Sequence, residues 1–313
     1  MAERLAWVLN FDAELEMADP EGYRPSTRML ARCDALTRQV APVLSRCLGE
    51  EIRILHRGRT RRSGPDLAGA RALAWAWTPS AVRCMTEQGV QPLPLPDFAA
   101  VRHVNHRAFL AGLQAGRCEA WPGLPGEGFI VDLARLEPRL RDLPPSGRWI
   151  LKRPFGFAGR DRKVLEGASL VGADRTWCLA SMQGYGIGLQ VEPWVEIREE
   201  YGLHAWLDRR GGIQVGALQV QEVDDSGAFV GTRPGPPGTR TAEAMAEVLG
   251  VAAAAAAREG YFGPLGLDAF LWQDATGATR LRVASDLNAR FSMAWFEGME
   301  DWLGTQERWP LEP

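Results

Sequence analysis

The residues best suited to chemistry lie near the C-terminal end, in two apolar stretches joined by a polar turn. Asp268 lies in the first stretch, and Asp286 and Asn288 lie in the second. The spacing predicts a β-hairpin over 263–290, in which side chains two residues apart project from the same face. If Asp268 faces the other two from the neighbouring strand, three oxygen ligands converge, and such a set suits Mg²⁺ ions that also hold nucleotide phosphates. The hairpin therefore predicts a magnesium site, with solvated acids at strand ends as the alternative.

A second candidate site lies in residues 149–165, which predict a strand, a glycine-bearing turn and another strand. Gly156 and Gly159 allow the backbone to turn sharply and to present N–H groups to an anion, while Lys152 places a cation beside them. These parts suit a phosphate clamp. A plain hairpin also needs glycine, so the pattern alone leaves both interpretations open. It is not a Walker A loop, because no Gly-Lys-Ser/Thr follows at the required spacing.

Acidic residues mark a third region. Residues 189–207 predict two strands that flank a carboxylate-rich turn with Glu199 and Glu200. The run Gly-x-Gly-x-Gly at 184–188 resembles a dinucleotide fingerprint, but no strand leads into it and no helix follows it. We therefore expect it to be a connector.

The composition indicates a globular protein that acts on small molecules. The 313 residues are 46% hydrophobic and 24% charged, which is ordinary for a folded domain. The net charge of −3 and the absence of a basic run give no reason to expect nucleic acid as a partner. We expect small-molecule partners instead.

Neither a membrane segment nor a disulfide framework is predicted. The longest strongly apolar stretch, 248–257, is too short to span a bilayer, and the N-terminal residues lack a secretory pattern. These features predict a cytoplasmic protein without membrane contact. The five cysteines never show metal-ligand spacing and are expected to be buried free thiols; they are Cys33, Cys47, Cys84, Cys118 and Cys178.

The first hundred residues alternate between strand and helix patterns. Strands are predicted at 4–10, 52–55 and 72–77, and a long helix begins near Ser26 and passes Pro42. This alternation favours a small parallel α/β domain.

An acidic stretch follows the first predicted strand and contains Asp12, Glu14 and Glu16. Ligand sites of parallel sheets gather at this end of the strands, so the stretch could hold a substrate amine. A solvated loop is the commoner explanation of such a run, and we favour it on sequence grounds.

The remaining elements surround the hairpin. A strand is predicted over 211–220, a surface loop over 232–241 and an alanine-rich helix over 241–258. The loop could close over a ligand, although most such loops are connectors.

Taken in order, the lysine hairpin, the glutamate-rich strands and the two metal-site strands resemble the ATP-grasp superfamily over residues 100–295. Within it the chain looks most like the amino-acid or peptide ligases. The resemblance implies an α/β (α+β) architecture, an ATP-grasp fold preceded by a small parallel, Rossmann-like α/β domain. The implied domains are 1–100, a central subdomain at 101–188 and a C-terminal subdomain at 189–313.

The resemblance also implies how ATP would bind. Lys152 would contact the α- and β-phosphates, and the backbone from Gly156 to Gly159 would cover the β- and γ-phosphates. Arg107 occupies the place of an earlier family lysine, and arginine keeps that charge but not its point geometry.

Adenine would lie along the strand that begins at Gln190, with backbone groups near Glu192 and Val195 recognising its edge. Either Glu199 or Glu200 would accept hydrogen bonds from the ribose hydroxyls. The sequence leaves that choice open.

For the metal, the resemblance implies that Asp268 and Asp286 ligate Mg²⁺ and that Asn288 completes a site. The family usually has glutamate at the position of Asp286, and the shorter arm makes bridging of two ions less favourable. Arg290 would share a strand face with Asn288 and bind the substrate carboxylate or the oxyanion of a tetrahedral intermediate. A surface ion pair is the alternative role for Arg290.

These assignments predict an ATP-dependent carboxylate–amine ligase, in which Lys152 and Arg290 act in catalysis. A carboxylate would attack the γ-phosphate to give an acyl phosphate and ADP, and an amine would then attack the acyl carbon. The alternatives are a phosphotransferase with a non-amine acceptor and a nucleotide-binding regulator without catalysis. The sequence does not determine the oligomeric state; a homodimer is one possibility, because dimers are the commonest oligomers.

Overall fold

The computed structural model describes residues 5–49, 51–58, 67, 70–117, 121–156, 161–223 and 229–305. These residues form three β-sheets with helices packed against them. The mixed α/β class predicted from the sequence is confirmed.

The first sheet is parallel, with strand order β2-β1-β3-β4. Its strands are β1 (Leu5–Val8), β2 (Arg53–Ile54), β3 (Arg71–Ala74) and β4 (Gln91–Pro92). The helices that connect them are α1 (Ala13–Ala18), α2 (Thr27–Leu48) and α3 (Pro79–Glu87). Helix α2 begins where predicted, because the Ser26 hydroxyl accepts a hydrogen bond from the Met29 amide. It ends at Gly49, which adopts the left-handed conformation that favours glycine.

Two helices lead to the second sheet: α4 (Phe98–Asn105) and α5 (Arg107–Ala115). The second sheet is antiparallel with order β5-β8-β6-β7. Its strands are β5 (Gly128–Ile130), β6 (Arg148–Lys152), β7 (Arg162–Glu166) and β8 (Leu189–Pro193). Strand β8 belongs to this sheet, although the predicted boundary after residue 188 assigns it to the C-terminal subdomain.

Helices α6 (Leu133–Arg141) and α7 (Gly172–Gln183) pack on one face of the second sheet. That face is apolar because alternate residues such as Leu151, Leu189 and Val191 project into it. The residues between them, including Lys152 and Glu192, therefore project from the opposite face.

The third sheet contains six strands in the order β12-β11-β9-β13-β14, with β10 paired to β9. The strands are β9 (Glu196–Leu207), β10 (Ile213–Val215), β11 (Gln219–Val223), β12 (Phe229–Pro234), β13 (Gly263–Gln273) and β14 (Thr279–Asn288). Helix α8 (Arg240–Arg258) covers one face with alanine and larger apolar side chains. The short helices α9 (Trp295–Gly298) and α10 (Glu300–Gly304) follow.

Three local expectations were wrong. Glu199 and Glu200 lie within β9 and not in a turn, because the chain turns earlier, at Trp194 and Val195. The segment 211–220 contains parts of two strands, β10 and β11, and the expected loop at 232–241 begins inside β12. In each case pairing with β9 or β11 overrides a local sequence rich in glycine and polar residues.

The first sheet and the third sheet share one hydrophobic core. The Trp7 and Phe291 rings meet edge to face with centroids 5.1 Å apart, and Phe291 contacts Trp295 at 4.9 Å. This packing brings the carboxyl end of β1 against the chain that leaves β14.

Within the residues described, no helix combines the length and apolar character needed to cross a bilayer. Four cysteines are free thiols, as expected, although Cys47 is only partly buried. Cys118 lies outside the described residues.

Candidate active site

One side of the third sheet is lined with polar groups, and we call it the polar face. Strand register aligns its residues in cross-strand rows, because residues directly opposite each other share a face. The rows are His204–Gly266–Asn288, Gly202–Asp268–Asp286 and Glu200–Phe270–Arg282.

The three predicted metal ligands meet on the polar face. Asp268 and Asp286 lie directly opposite each other in β13 and β14. The Asn288 side-chain amide donates to the Asp268 carboxylate at 3.1 Å, and Gln221 donates to the other Asp268 oxygen at 2.9 Å. The structure thus places together three side chains that the sequence separates by up to twenty residues.

The donor chemistry of this group fits a divalent cation. Among the residues described, no three His, Cys, Asp or Glu side chains gather as a metal-binding group, so an ion here would use two carboxylates and the Asn288 oxygen. Burial and the facing Asp286 carboxylate raise the pKa of Asp268 to about 7. A cation bound between the two acids would offset the charge of Asp286 that acts on Asp268.

We expect the substitution Asp268→Asn to stabilise the protein at pH 8 in the presence of EDTA. The pKa of Asp268 lies above its ordinary value of 3.8, so the wild type loses stability as the pH rises from that value to about 7. Removing the Asp268 charge should raise the free energy of unfolding at pH 8 by about 1–3 kcal/mol, and at pH 5 by less than half as much. Urea unfolding at both pH values tests this, with the exposed Asp301→Asn as the control. A stability difference that does not change with pH would contradict it.

Arg107 connects the central region to these acids. Its guanidinium donates to the Asp286 carboxylate at 2.5 Å and to the backbone oxygen of Arg153, also at 2.5 Å. Arg107 therefore neutralises Asp286 and joins the start of α5 to the end of β6. Its predicted contact with a phosphate stays a prediction.

A buried charge cluster bridges the second and third sheets. The Lys152 ammonium lies 2.7 Å from Glu192, and the other Glu192 oxygen accepts from Arg282 at 3.0 Å. A second carboxylate, Glu127, lies 2.8 Å from the same Arg282 nitrogen. We call these four residues the charge cluster. It joins β6 and β8 of the second sheet to β14 of the third.

The charges within the cluster are strongly coupled. Burial opposes ionisation of Glu192, but Arg282 and Lys152 together outweigh it and lower the pKa of Glu192 to about 2. Burial raises the pKa of Glu127, and Arg282 only partly offsets this effect. Arg282 is 1% exposed. Its positive charge favours the ionised form of both carboxylates.

The other residues predicted to contact the nucleotide lie on or beside the strands of the second sheet. Gln190 lies opposite Lys152 in the pairing of β8 with β6, and Val195 lies in the turn after β8. Gly156 follows β6 by four residues. Gly159 lies outside the described residues.

The structure distinguishes between the two glutamates considered for the ribose. Glu200 lies on the polar face, in the row of Phe270, and burial raises its pKa while Lys152 opposes that rise. Glu199 projects from the opposite face, where it accepts from the Tyr201 hydroxyl and pairs with Arg233 at 2.7 Å. The geometry therefore favours Glu200 for a ligand on the polar face.

The position of Arg290 differs from the expectation. Strand β14 ends at Asn288 and the chain bends, so Arg290 does not continue the strand face. Its guanidinium instead forms an ion pair with Glu14, and its charge partly opposes the rise in the pKa of Asp268. The alternative of a surface ion pair is also wrong, because both side chains are largely buried.

The acidic stretch after β1 is not a solvated loop, contrary to the interpretation we favoured. Asp12, Glu14 and Glu16 are all buried. Asp12 pairs with Arg57, and Glu16 accepts from the Ser80 amide at 2.8 Å. Specific partners from distant elements make burial of these carboxylates tolerable.

His204 lies in the same row as Asn288 and has no charge to contribute. Burial lowers the pKa of His204 to about 3, so the ring is neutral at ordinary pH. Its Nε2 atom lies 2.9 Å from the Ser292 hydroxyl. This histidine can position a hydroxyl but cannot act as a cation.

Sequence reasoning missed Arg282, Glu127 and Gln221. Arg282 could have been found, because it lies four residues before Asp286, and strand alternation places such residues on one face. Glu127 and Gln221 carry no comparable signal, since one lies outside the regular strands and the other lies in a strand without other candidate residues.

No protein-family model matches the sequence, and no curated protein matches it. Solved structures do match. The biotin carboxylase of Campylobacter jejuni in complex with β,γ-ATP has a TM-score of 0.56 at 13% identity, over 99% of this chain and 72% of that one. The biotin carboxylase domain of the 2-oxoglutarate carboxylase of Hydrogenobacter thermophilus, in complex with MgADP, ADP and bicarbonate, has a TM-score of 0.53 at 11% identity, over 97% and 70%.

A third similar structure is the N5-carboxyaminoimidazole synthetase of Staphylococcus aureus complexed with ADP. It has a TM-score of 0.50 at 10% identity, over 93% of this chain and 71% of that one. Together these similarities confirm that the chain has the ATP-grasp fold. At such identities the likeness is one of fold, and the activity has to be argued from the site.

Proposed function

We propose that the protein is an ATP-dependent ligase that joins a small carboxylic acid or amino acid to an amine. The observation that carries the proposal is the pair of facing acids Asp268 and Asp286, with Asn288 beside them, on the polar face of an ATP-grasp fold. The similar structures are complexes with ADP, MgADP or β,γ-ATP, which supports nucleotide binding by this chain.

In this proposal, Asp268, Asp286 and Asn288 would hold Mg²⁺, which would neutralise phosphate charge during phosphoryl transfer. Lys152 would contact the phosphates, since an ammonium group has three donors and the ion pair with Glu192 uses one of them. Glu200, on the polar face, accepts hydrogen bonds from the ribose hydroxyls.

The carboxylate substrate attacks the γ-phosphorus, and the bond from that phosphorus to the bridging oxygen breaks to give an acyl phosphate and ADP. The amine then attacks the acyl carbon and phosphate leaves. Arg290, whose charge acts on Asp268, would stabilise the oxyanion of that second step. No nucleophilic side chain is required.

The competing function is nucleotide binding without catalysis. It is favoured by the ion pairs that already occupy Asp286 and Lys152, with Arg107 and Glu192 as their partners. A regulator of this kind would bind ATP and release no ADP in response to substrates.

Nucleotide product analysis separates these functions. The protein is given ATP, Mg²⁺ and a pool of amino acids and small carboxylic acids, and nucleotides and conjugates are identified by mass spectrometry. We expect ADP, phosphate and a conjugate whose mass is the sum of two pool members less water, all absent with Asp286→Ala/Asn288→Ala. AMP as the product would overturn the acyl phosphate mechanism. Bound ATP without ADP formation would favour the regulator.

A further inference from the structure

The chain around Arg290 is fixed on both sides, by Asn105 at the end of α4 and by Trp75 directly after β3. The Asn105 side chain accepts from the Ala289 amide at 2.9 Å and donates to the Ala289 carbonyl at 3.1 Å. On the other side, the Phe291 amide donates to the carbonyl of Trp75 at 3.0 Å. The backbone of residue 290 therefore has one position relative to the first sheet.

The side chain of Arg290 is held from the first domain, residues 1–100. Glu14 lies in α1, directly after β1, and one of its carboxylate oxygens forms the ion pair with an Arg290 terminal nitrogen. The other terminal nitrogen donates to the Phe291 carbonyl at 2.9 Å. The two side chains are only 7% and 15% exposed. A long arginine side chain that could adopt many rotamers is thus restricted to one direction.

The pair retains capacity for further hydrogen bonds. Among the residues described, the second Glu14 oxygen and the Nε atom of Arg290 have no hydrogen-bond partner. Structural packing alone does not call for a buried ion pair, since apolar groups of similar volume are often equally stable. A role in orienting a reactive cation accounts for the pair better.

We propose that Glu14 is a positioning residue that directs the Arg290 guanidinium toward the reaction centre, so that the first domain completes the active site. The inference rests on the proposed function, because that function gives Arg290 its role at the oxyanion. It also explains why the acidic stretch after β1 is buried.

The first test does not depend on activity. Full-length wild type and Glu14→Gln are labelled with phenylglyoxal, and the labelling rate of each arginine is obtained by peptide mass mapping. Without the carboxylate, we expect Arg290 to react about tenfold faster, because the ion pair that shields it is lost. The fully buried Arg282 should react at an unchanged rate and reports that the fold is intact. Equal rates for Arg290 in both proteins would overturn the proposal.

If Glu14→Gln does not fold, Glu14→Asp replaces it in the same assay, because aspartate keeps the charge and only shortens the arm. If Arg290 in Glu14→Asp is labelled at the wild-type rate, Glu14 does not set the direction of Arg290 and the proposal is overturned. Faster labelling would support the proposal.

The second test uses the substrates identified by product analysis. Glu14→Gln is expected to lower kcat by about 10–100-fold and to leave KM for ATP within about twofold, as for a group that acts only in the transition state. In a protein that already carries Arg290→Lys, Glu14→Gln should lower kcat by less than a further factor of about two, because the two residues act as one coupled unit. If the double variant loses kcat by the product of the two single effects, the proposal is overturned. If the wild type forms no ADP, the proposed ligase function fails, and the labelling rates still decide whether Glu14 positions Arg290.

Discussion

Replacing Arg282 with leucine is expected to lower the free energy of unfolding by about 3–5 kcal/mol. Arg282 is the buried cation between Glu192 and Glu127, and its removal leaves Glu127 without a counter-charge. The loss should grow as the pH rises, because carboxylates whose pKa is raised in the folded state oppose folding once they ionise. Urea unfolding between pH 5 and pH 8 measures both effects.

A matched control lies two residues away on the same strand. Arg280 pairs with Asp274 at 2.9 Å, but its side chain is 61% exposed, and exposed ion pairs contribute little. Arg280→Leu should therefore change stability only slightly. Equal losses in the two variants would show that the charge cluster does not hold the sheets together. Adding Glu127→Gln to Arg282→Leu should recover part of the loss, since it removes the stranded carboxylate.

Replacing Asp286 with asparagine is expected to lower substrate-dependent ADP formation by about 10²–10³-fold. A metal ion that neutralises transferring phosphate contributes several kcal/mol, and each 1.4 kcal/mol corresponds to about tenfold in rate. The change also leaves Arg107, which is 14% exposed, without its carboxylate. Initial rates measured across a range of Mg²⁺ concentrations should show a higher Mg²⁺ requirement as well as a lower maximum.

Two companion variants make this result specific. Asp286→Glu restores the residue that the resembled family usually has and should retain much of the activity. Asp301→Asn changes an exposed acid in α10 and should have no effect. Wild-type activity and Mg²⁺ dependence in Asp286→Asn would remove this residue from the metal site.

Local sequence determined much of the architecture. The apolar stretches around Asp268 and Asp286 predicted a hairpin, and the hairpin places the two acids opposite each other. The parallel first sheet and the long helix after Ser26 were likewise predictable. These features depend on strand periodicity, helix capping and short turns, which act over a few residues and can be recognised in the sequence.

Only the tertiary structure decided which charges meet. The pairs Glu192–Arg282 and Arg107–Asp286 join residues 90 and 179 positions apart, and Glu14 pairs with Arg290 across almost the whole chain. The same is true of the acids after β1, whose sequence is typical of a solvated loop although the structure buries them. The sequence around a charged residue shows the same pattern whether the side chain lies in solvent or in a buried ion pair. Its environment depends on how the three sheets pack against one another, and that packing is set by apolar contacts distant in sequence from the charges themselves.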